Sequence, residues 1–272
     1  MVNTCTPCSL KEALRLLHEK PLIPYAGGTE LMIQDRPDAE YLFLMRVPEL
    51  RTITADEQYV HIGAAVTFSE ALKSPLIPDL MKEAVSGIGS PAIRNAGTFG
   101  GNLANGSDKA DSVLIEFVSD AEIVLASFEG ERTLAIDRFH RGRKDLDLRP
   151  DELIHEIRLP RRGLEHYSYC KVGGRHALAI TFVSFAGVFE KENGRITKLA
   201  AAFGAAGDSI QRYKDIESMM LGLTADEAML RKQEYLSAYE QRLKVNVSRV
   251  GPEYQKYTCM KLLEDFFTKA IG

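Results

Sequence analysis

The sequence predicts an α+β protein in two domains, and three observations carry that prediction. At 272 residues the chain exceeds the ~100–200 residues of a typical single domain. Capping signals that open helices are interspersed with short apolar runs bounded by glycine, proline or Asn-Gly turns, the mark of strands. The composition changes after Pro160-Arg161-Arg162-Gly163, which reads as a linker between residues 1–160 and 164–272.

Taken in order, Ser9-Leu10-Lys11-Glu12 is a capping box, with Ser9 as N-cap and Glu12 at the third helical position. Leu10, Ala13, Leu14 and Leu17 share one face of the helix it opens, and Pro21 ends it near Lys20. Leu22–Ala26, Tyr41–Met45 and Tyr59–Ile62 read as strands. Thr67-Phe68-Ser69-Glu70 repeats the capping box before a short helix to Lys73, and Pro78–Val85 reads as helix. Asp111 stands where an N-cap belongs for a helix over 112–118. Ala121–Ser127 and Glu131–Ile136 form a predicted hairpin, and Glu152–Leu159 a strand ending at Pro160. Beyond the linker, a strand around Tyr167–Lys171 precedes a long apolar strand over Ala177–Phe189. Glu192-Asn193-Gly194 turns the chain into a returning strand, Ile196–Phe203, because Asn-Gly between two such runs is a strong hairpin signal. Thr224–Tyr239, with a further capping box at Thr224-Ala225-Asp226-Glu227, and Glu253–Ile271 read as helices.

Composition excludes several classes. The net charge of −4 and the absence of a dense basic run argue against a nucleic-acid partner. Arg138–Lys144 is the most basic stretch, and the acidic residues after it suggest a solvated loop. No apolar run reaches the ~18–20 residues of a membrane span, and no signal-peptide pattern opens the chain, so a cytoplasmic protein is expected. Cys5-Thr6-Pro7-Cys8 has the spacing of a metal or redox pair. Cys170 and Cys259 do not complete a four-ligand zinc or iron–sulfur site, so no metal ligands are assigned. There is no G-x-S-x-G or H-E-x-x-H, and the six histidines make no ligand spacing. His176 beside Arg175 is read as structural before catalytic, and no catalytic residue is assigned.

The most informative stretch runs from Ile88 to Asp111. Gly89, Gly97, Gly100, Gly101 and Gly106 alternate there with Ser, Thr, Asn and Asp. Glycine lets a backbone come close to a ligand, so this segment suits a pyrophosphate held by backbone N–H groups; a glycine-rich surface loop is the plainer alternative. A second polar glycine loop, Pro24-Tyr25-Ala26-Gly27-Gly28-Thr29-Glu30-Leu31, follows a short apolar run. It is neither G-x-G-x-x-G nor a Walker loop. Two such loops could clasp one long ligand from two sides.

With these motifs the chain resembles the FAD-binding subunit of the molybdenum hydroxylases, the group of xanthine dehydrogenase and carbon monoxide dehydrogenase. Ala26–Leu31 is similar to that family's first flavin loop, and Ile93-Arg94-Asn95 through Thr98-Phe99-Gly100-Gly101-Asn102-Leu103 to its second. Val47–Leu50, His61–Ala64, Arg141–Lys144 and Tyr169-Cys170-Lys171 match further motifs in the same order. The resemblance implies a two-lobed FAD-binding domain of the p-cresol methylhydroxylase/vanillyl-alcohol oxidase type, with lobes near 1–55 and 56–160. A smaller α+β domain with an antiparallel sheet and helices is implied to follow.

Carried over position by position, the resemblance implies that Pro24, Tyr25, Ala26, Gly27, Gly28, Thr29, Glu30 and Leu31 line the adenosine-diphosphate part of a noncovalent FAD. Thr98 and the N–H groups of Phe99, Gly100, Gly101 and Asn102 would cradle the phosphates from the other side. Asp111 would hydrogen-bond the flavin's polyol or ribose, with a plain N-cap as the alternative. Ile154 would lie near the ring system and Lys171 near its polar edge, while Ile88 occupies a position where some relatives place an aromatic. Where many relatives read Ser-Pro-Ala-Ala-Asp, this chain has Ser107-Asp108-Lys109-Ala110-Asp111. The implied function is electron transfer from iron–sulfur clusters to NAD or another acceptor. Molybdopterin would sit on a large partner subunit and 2Fe–2S clusters on a small one. A self-sufficient flavin oxidoreductase on the same fold and a flavin-free assembly subunit stay open at this point.

Overall fold

The computed structural model describes residues 4–34, 39–175, 181–246 and 250–272. The chain divides into two compact units. One comprises Met1–Ile77, Val85–Ser107 and Asp120–Arg161, and the other Pro78–Ala84, Asp108–Ser119 and Arg162–Gly272.

The first unit holds a three-stranded parallel sheet in the order Thr4–Cys5, Tyr41–Phe43, Ile23–Tyr25. Helix Leu10–Glu19 covers it, burying Ala13 and Leu17 with Leu22, Leu42, Leu44 and Leu50. Ser9 caps this helix by accepting the Glu12 N–H at 3.2 Å. The Glu12 carboxylate takes the Cys8 N–H at 2.8 Å, one residue earlier than a capping box places it. The predicted box at Thr67 is complete, its side chain and that of Glu70 each accepting the other's backbone N–H.

A five-stranded antiparallel sheet completes this unit, in the order Ile53–Ala55, Tyr59–Gly63, Leu153–Pro160, Glu122–Ser127, Gly130–Ala135. A bulge between Ile154 and Glu156 breaks its central strand, and the carbonyl of the bulged His155 accepts the Ala64 N–H at 3.0 Å. Such an insertion bends a strand and re-aims its side chains. The basic stretch read as a solvated loop is instead structured. Ile136–Phe139 forms a helical turn, and His140–Gly142 pairs with Asp145–Leu146. Fully buried Phe139 anchors it, and Arg141 is neutralised by Asp145 and Asp147.

The second unit is built on a four-stranded antiparallel sheet, Tyr167–Gly173, Thr181–Glu192, Arg195–Gly204, Gln211–Arg212. Asn193 and Gly194 both have positive φ (50° and 74°), the twist-matched turn that the Asn-Gly signal predicts. Helices Asp111–Ser119 and Pro252–Ile271 pack on the long strand. The predicted helix over Thr224–Tyr239 is broken into Ala225–Leu230 and Lys232–Arg242. At the break Arg231 leaves helical geometry (ψ 4°), and its guanidinium donates to the Met219 carbonyl and to Glu234. His176 and the start of the predicted apolar strand, 177–180, lie outside the described residues. Among the described residues no helix is long and apolar enough to cross a membrane.

Every residue of helix Asp111–Ser119 is buried, including Glu116, whose carboxyl oxygens have no hydrogen-bond partner. Burial pushes this carboxyl up to about 8, against a small opposing effect of the Ser112 hydroxyl. Between the ordinary value of 4.5 and this one, the folded chain holds a proton that the unfolded chain has lost. Stability therefore falls as pH rises through that window, by up to ~1.4 kcal/mol per pH unit, and levels off above it. Glu116→Leu should remove this slope and exceed the parent's stability by at least ~2 kcal/mol near pH 8. His61 adds a slope in the same direction that both proteins keep. Burial would lower its imidazole, but Glu156 and Asp56, at 3.1 and 3.0 Å on its two ring nitrogens, raise it. Denaturant melts across that pH range check this, and parallel slopes for the two proteins would contradict it.

Candidate cofactor-binding cleft

The two glycine loops meet in the first unit. A Cβ on Gly27 would lie 1.8 Å from the Ala96 carbonyl oxygen, so only glycine lets the loops approach this closely. Gly28 has φ +68° and turns over the Tyr25 ring, whose hydroxyl would stand 2.0 Å from any added Cβ. Tyr25 thus props the turn from beneath and packs on Tyr41 and Phe43.

The second loop is not irregular, as its composition suggested. It contains two short helices, Pro91–Ala96 capped by Ser90 and Phe99–Ala104 capped by Thr98. Arg94 donates to the carbonyls of Ile88 and Gly89, both at 3.0 Å, and so fixes the entry to the loop. Phe99 N–H bonds to the Val66 carbonyl and Gly100 N–H to that of Ala64. A Cβ on Gly100 would collide with Ala64 at 2.5 Å, which makes that glycine a packing requirement.

Around this junction lies a cleft of about 500 Å³, within the range of small-molecule sites. Its walls include Pro24, Ala26 to Leu31, Ile88, Thr98, Gly100, Gly101, Asn102 and Ile154. Of the other residues proposed from sequence, Tyr25 supports the wall from behind and Phe99 is fully buried against Phe68. Asp111 and Lys171 belong to the second unit. Ala64, Ile93 and Lys144, which the sequence placed in family motifs without a site role, also line the cleft, and sequence reasoning missed Ala65, Phe68, Asn105, Leu148, Glu152 and Leu153. No local motif marks Ala65, Leu148 or Leu153. Glu152 is only 4% exposed and is held by the Arg132 guanidinium at 2.6 Å and the Arg149 N–H. Burial alone would raise its carboxyl, but these donors outweigh it and hold it below the usual range.

Hydrogen bonding separates the two loops. Among the described residues, the N–H groups from Ala26 to Leu31 donate no bond within the chain. The N–H groups from Phe99 to Asn102, expected to cradle phosphates, are engaged internally. Those of Phe99 and Gly100 go to Val66 and Ala64, and Asn102 bonds to the Thr98 carbonyl. Gly101 bonds to Thr98 Oγ1 at 3.1 Å. The second loop's contribution is therefore the Thr98 hydroxyl proton and the bare Cα of Gly101, whose added Cβ would meet only Thr98 Oγ1. Gly101 is not among the positive-φ residues, so space and not backbone strain explains that glycine.

Half-buried backbone donors in a row, a free hydroxyl proton and apolar walls from Ile88, Ile93, Leu153 and Ile154 suit a ligand with an anionic waist and flat apolar ends. The residues present fit FAD.

In the second unit Asp111 is 5% exposed and accepts from Lys171 Nζ at 2.6 Å and from the Tyr169 hydroxyl at 3.3 Å. It is the first residue of its helix and not the residue before it. Burial raises its carboxyl, and Lys171 and Tyr169 only partly oppose that. Lys171, unremarkable in the sequence, is thus half of an ion pair, and Tyr169 is a member that sequence reasoning did not assign. The cysteines are all free thiols, and among the described residues no cluster of His, Cys, Asp and Glu could hold a metal ion.

Comparison with known proteins agrees with this geometry. Residues 1–162 match the family model described as the FAD binding domain in molybdopterin dehydrogenase, and residues 167–270 match the CO dehydrogenase flavoprotein C-terminal domain. The chain is 30% identical to the xanthine dehydrogenase FAD-binding subunit of Escherichia coli O157:H7, over 97% of this chain and 92% of the relative. It is 31% identical to the nicotinate dehydrogenase FAD-subunit of Eubacterium barkeri, over 79% and 78%. In fold it is similar to a chain of carbon monoxide dehydrogenase from Hydrogenophaga pseudoflava, with a TM-score of 0.88 and 24% identity over 99% of this chain and 96% of that one. With FAD-family matches over both parts of the chain, and a cleft whose donors fit that cofactor, the chain belongs to the FAD-binding subunits of the molybdenum hydroxylases.

Proposed function

We propose that this chain is the FAD-carrying electron-transfer subunit of a multi-subunit molybdenum hydroxylase in the cytoplasm. It takes electrons from 2Fe–2S clusters on a small partner subunit and passes them to NAD or another acceptor, while a large partner subunit holds molybdopterin. The observation that carries this reading is the row of undonated N–H groups from Ala26 to Leu31, residues that line the cleft. Bound FAD supplies the electron chemistry, and the chain's own residues bind and orient it.

Within that role, residues 1–160 form the FAD-binding domain and 164–272 the C-terminal domain. Pro24 to Leu31 surround the adenosine diphosphate, their N–H groups holding the pyrophosphate at fixed geometry. Thr98, with Gly100, Gly101 and Asn102, closes the opposite side. Ile88 and Ile154 give aliphatic contact to the ring system. Asp111 takes a hydroxyl of the flavin's polyol or ribose, and Lys171 orients Asp111 and stands toward the ring's polar edge. A cation there favours the reduced flavin and raises its potential.

Acid precipitation of the purified protein should leave the flavin in a yellow supernatant; a coloured pellet would contradict noncovalent binding. Gly101→Val should weaken flavin retention at least ~10-fold, because a branched side chain crowds the Thr98 hydroxyl at 2.9 Å in the cleft wall. The fold should survive, since valine is no worse than glycine inside a helix. Flavin-to-protein ratio and circular dichroism test this, and a full flavin complement in the variant would contradict the placement. The chain alone should oxidise NADH slowly with an artificial acceptor, show no hydroxylation and contain no iron. Hydroxylase activity should appear only with the molybdenum and iron–sulfur subunits. Stoichiometric iron and sulfide in the isolated chain would overturn this division of labour.

A further inference from the structure

Three charged side chains are among the described residues lining the cleft: Glu30, Lys144 and Glu152. Glu152 is neutralised by Arg132, and Glu30, exposed like Lys144, is the one other charge. Lys144 is thus the sole cation among those residues, in a cleft fitted to a ligand whose pyrophosphate carries two negative charges.

Its placement is unusual. Lys144 sits between the paired strands His140–Gly142 and Asp145–Leu146 with φ +61°, a conformation rare for a residue with a side chain. Its N–H donates to the Gly106 carbonyl at 2.8 Å, and Gly106 is itself left-handed, with room for no Cβ without crowding Lys144 Cα at 3.0 Å. The ammonium donates to both the backbone and side-chain oxygens of Asn105, the residue that ends helix Phe99–Ala104. A cation suits that helix end. An ammonium has three protons, and two are engaged by Asn105, so one is left on a side chain that lines the cleft.

We propose that Lys144 is the cofactor-binding cation of this cleft. It makes the cleft selective for phosphate-bearing ligands while pinning the helix that presents Thr98, Gly101 and Asn102. This rests on the reading that the cleft takes FAD. The neutral N–H groups of the first loop fix the anion's position, and Lys144 supplies the charge they lack. Its reach is set by the hairpin that the sequence disguises as a basic surface loop.

The test uses flavin-free full-length protein and the affinities for FAD, ADP and adenosine. Lys144→Met should weaken FAD and ADP by about 10- to 100-fold, as expected for a lost charge-assisted hydrogen bond, and leave adenosine within about twofold. Lys144→Arg should recover most of the ADP affinity. Asn105→Ala, which removes the side-chain acceptor of the ammonium and keeps the backbone one, should keep ADP within about threefold of the parent. Raising salt should weaken ADP binding to the parent more than to the Met variant. If Lys144→Met does not fold, Lys144→Gln carries the same comparison. Parent-like FAD and ADP affinities in the neutral variants would overturn the inference alone. An equal loss for adenosine and ADP, or an Asn105→Ala loss equal to that of Lys144→Met, would reduce Lys144 to a structural pin and overturn it as well. A parent protein that binds no FAD would overturn the functional reading together with this inference.

Discussion

The approach of Gly27 to the Ala96 carbonyl is the contact on which the cleft depends. It brings together two loops far apart in sequence at a distance that no side chain permits. The consequence is a division of labour between the loops. The second is tied internally, its N–H groups given to Val66, Ala64 and Thr98, so it is a rigid wall. The first keeps its donors from Ala26 to Leu31 for something outside the chain. Site rigidity and ligand affinity thus come from different segments, which is how preorganisation reduces the ordering cost of binding. The bulge at His155 belongs to the same construction, because its carbonyl holds Ala64, against which Gly100 packs.

The second unit shows the opposite strategy, polar groups enclosed in a packed core. The Asp111–Lys171 pair is close and largely buried, with Tyr169 as a further donor. Five residues along the same helix, Glu116 has no such partner. Two acids on one buried helix therefore have different fates, one compensated and one held neutral, and the difference is whether a strand residue reaches across to donate. Under the proposed function a fixed acid at Asp111 serves a hydroxyl of the flavin. The structure offers no comparable reason for Glu116.

Much of this was legible in the sequence. The capping signals at Ser9, Thr67 and Thr224 each mark a helix start, because such boxes are local hydrogen-bond chemistry. Asn193-Gly194 marks its hairpin for the same reason. The glycine loops stand out by composition, yet composition does not say which glycine serves which purpose. Gly27 and Gly100 serve packing against partners distant in sequence, Gly28 a left-handed turn and Gly101 the room beside the Thr98 hydroxyl. The internal use of the Phe99 and Gly100 N–H groups, the hairpin that carries Lys144 and the break at Arg231 are also set by tertiary contacts. Local propensity could not reveal them. Family resemblance supplied the cofactor where geometry alone would have stopped at an anion-binding cleft with apolar ends.

The central claim is that the first-loop donors hold an FAD, and the visible absorption spectrum of the purified chain tests it most directly. The account predicts the two visible bands of oxidised flavin, at one flavin per chain, either as isolated or after reconstitution with FAD. A colourless protein that takes up no FAD on reconstitution would contradict it.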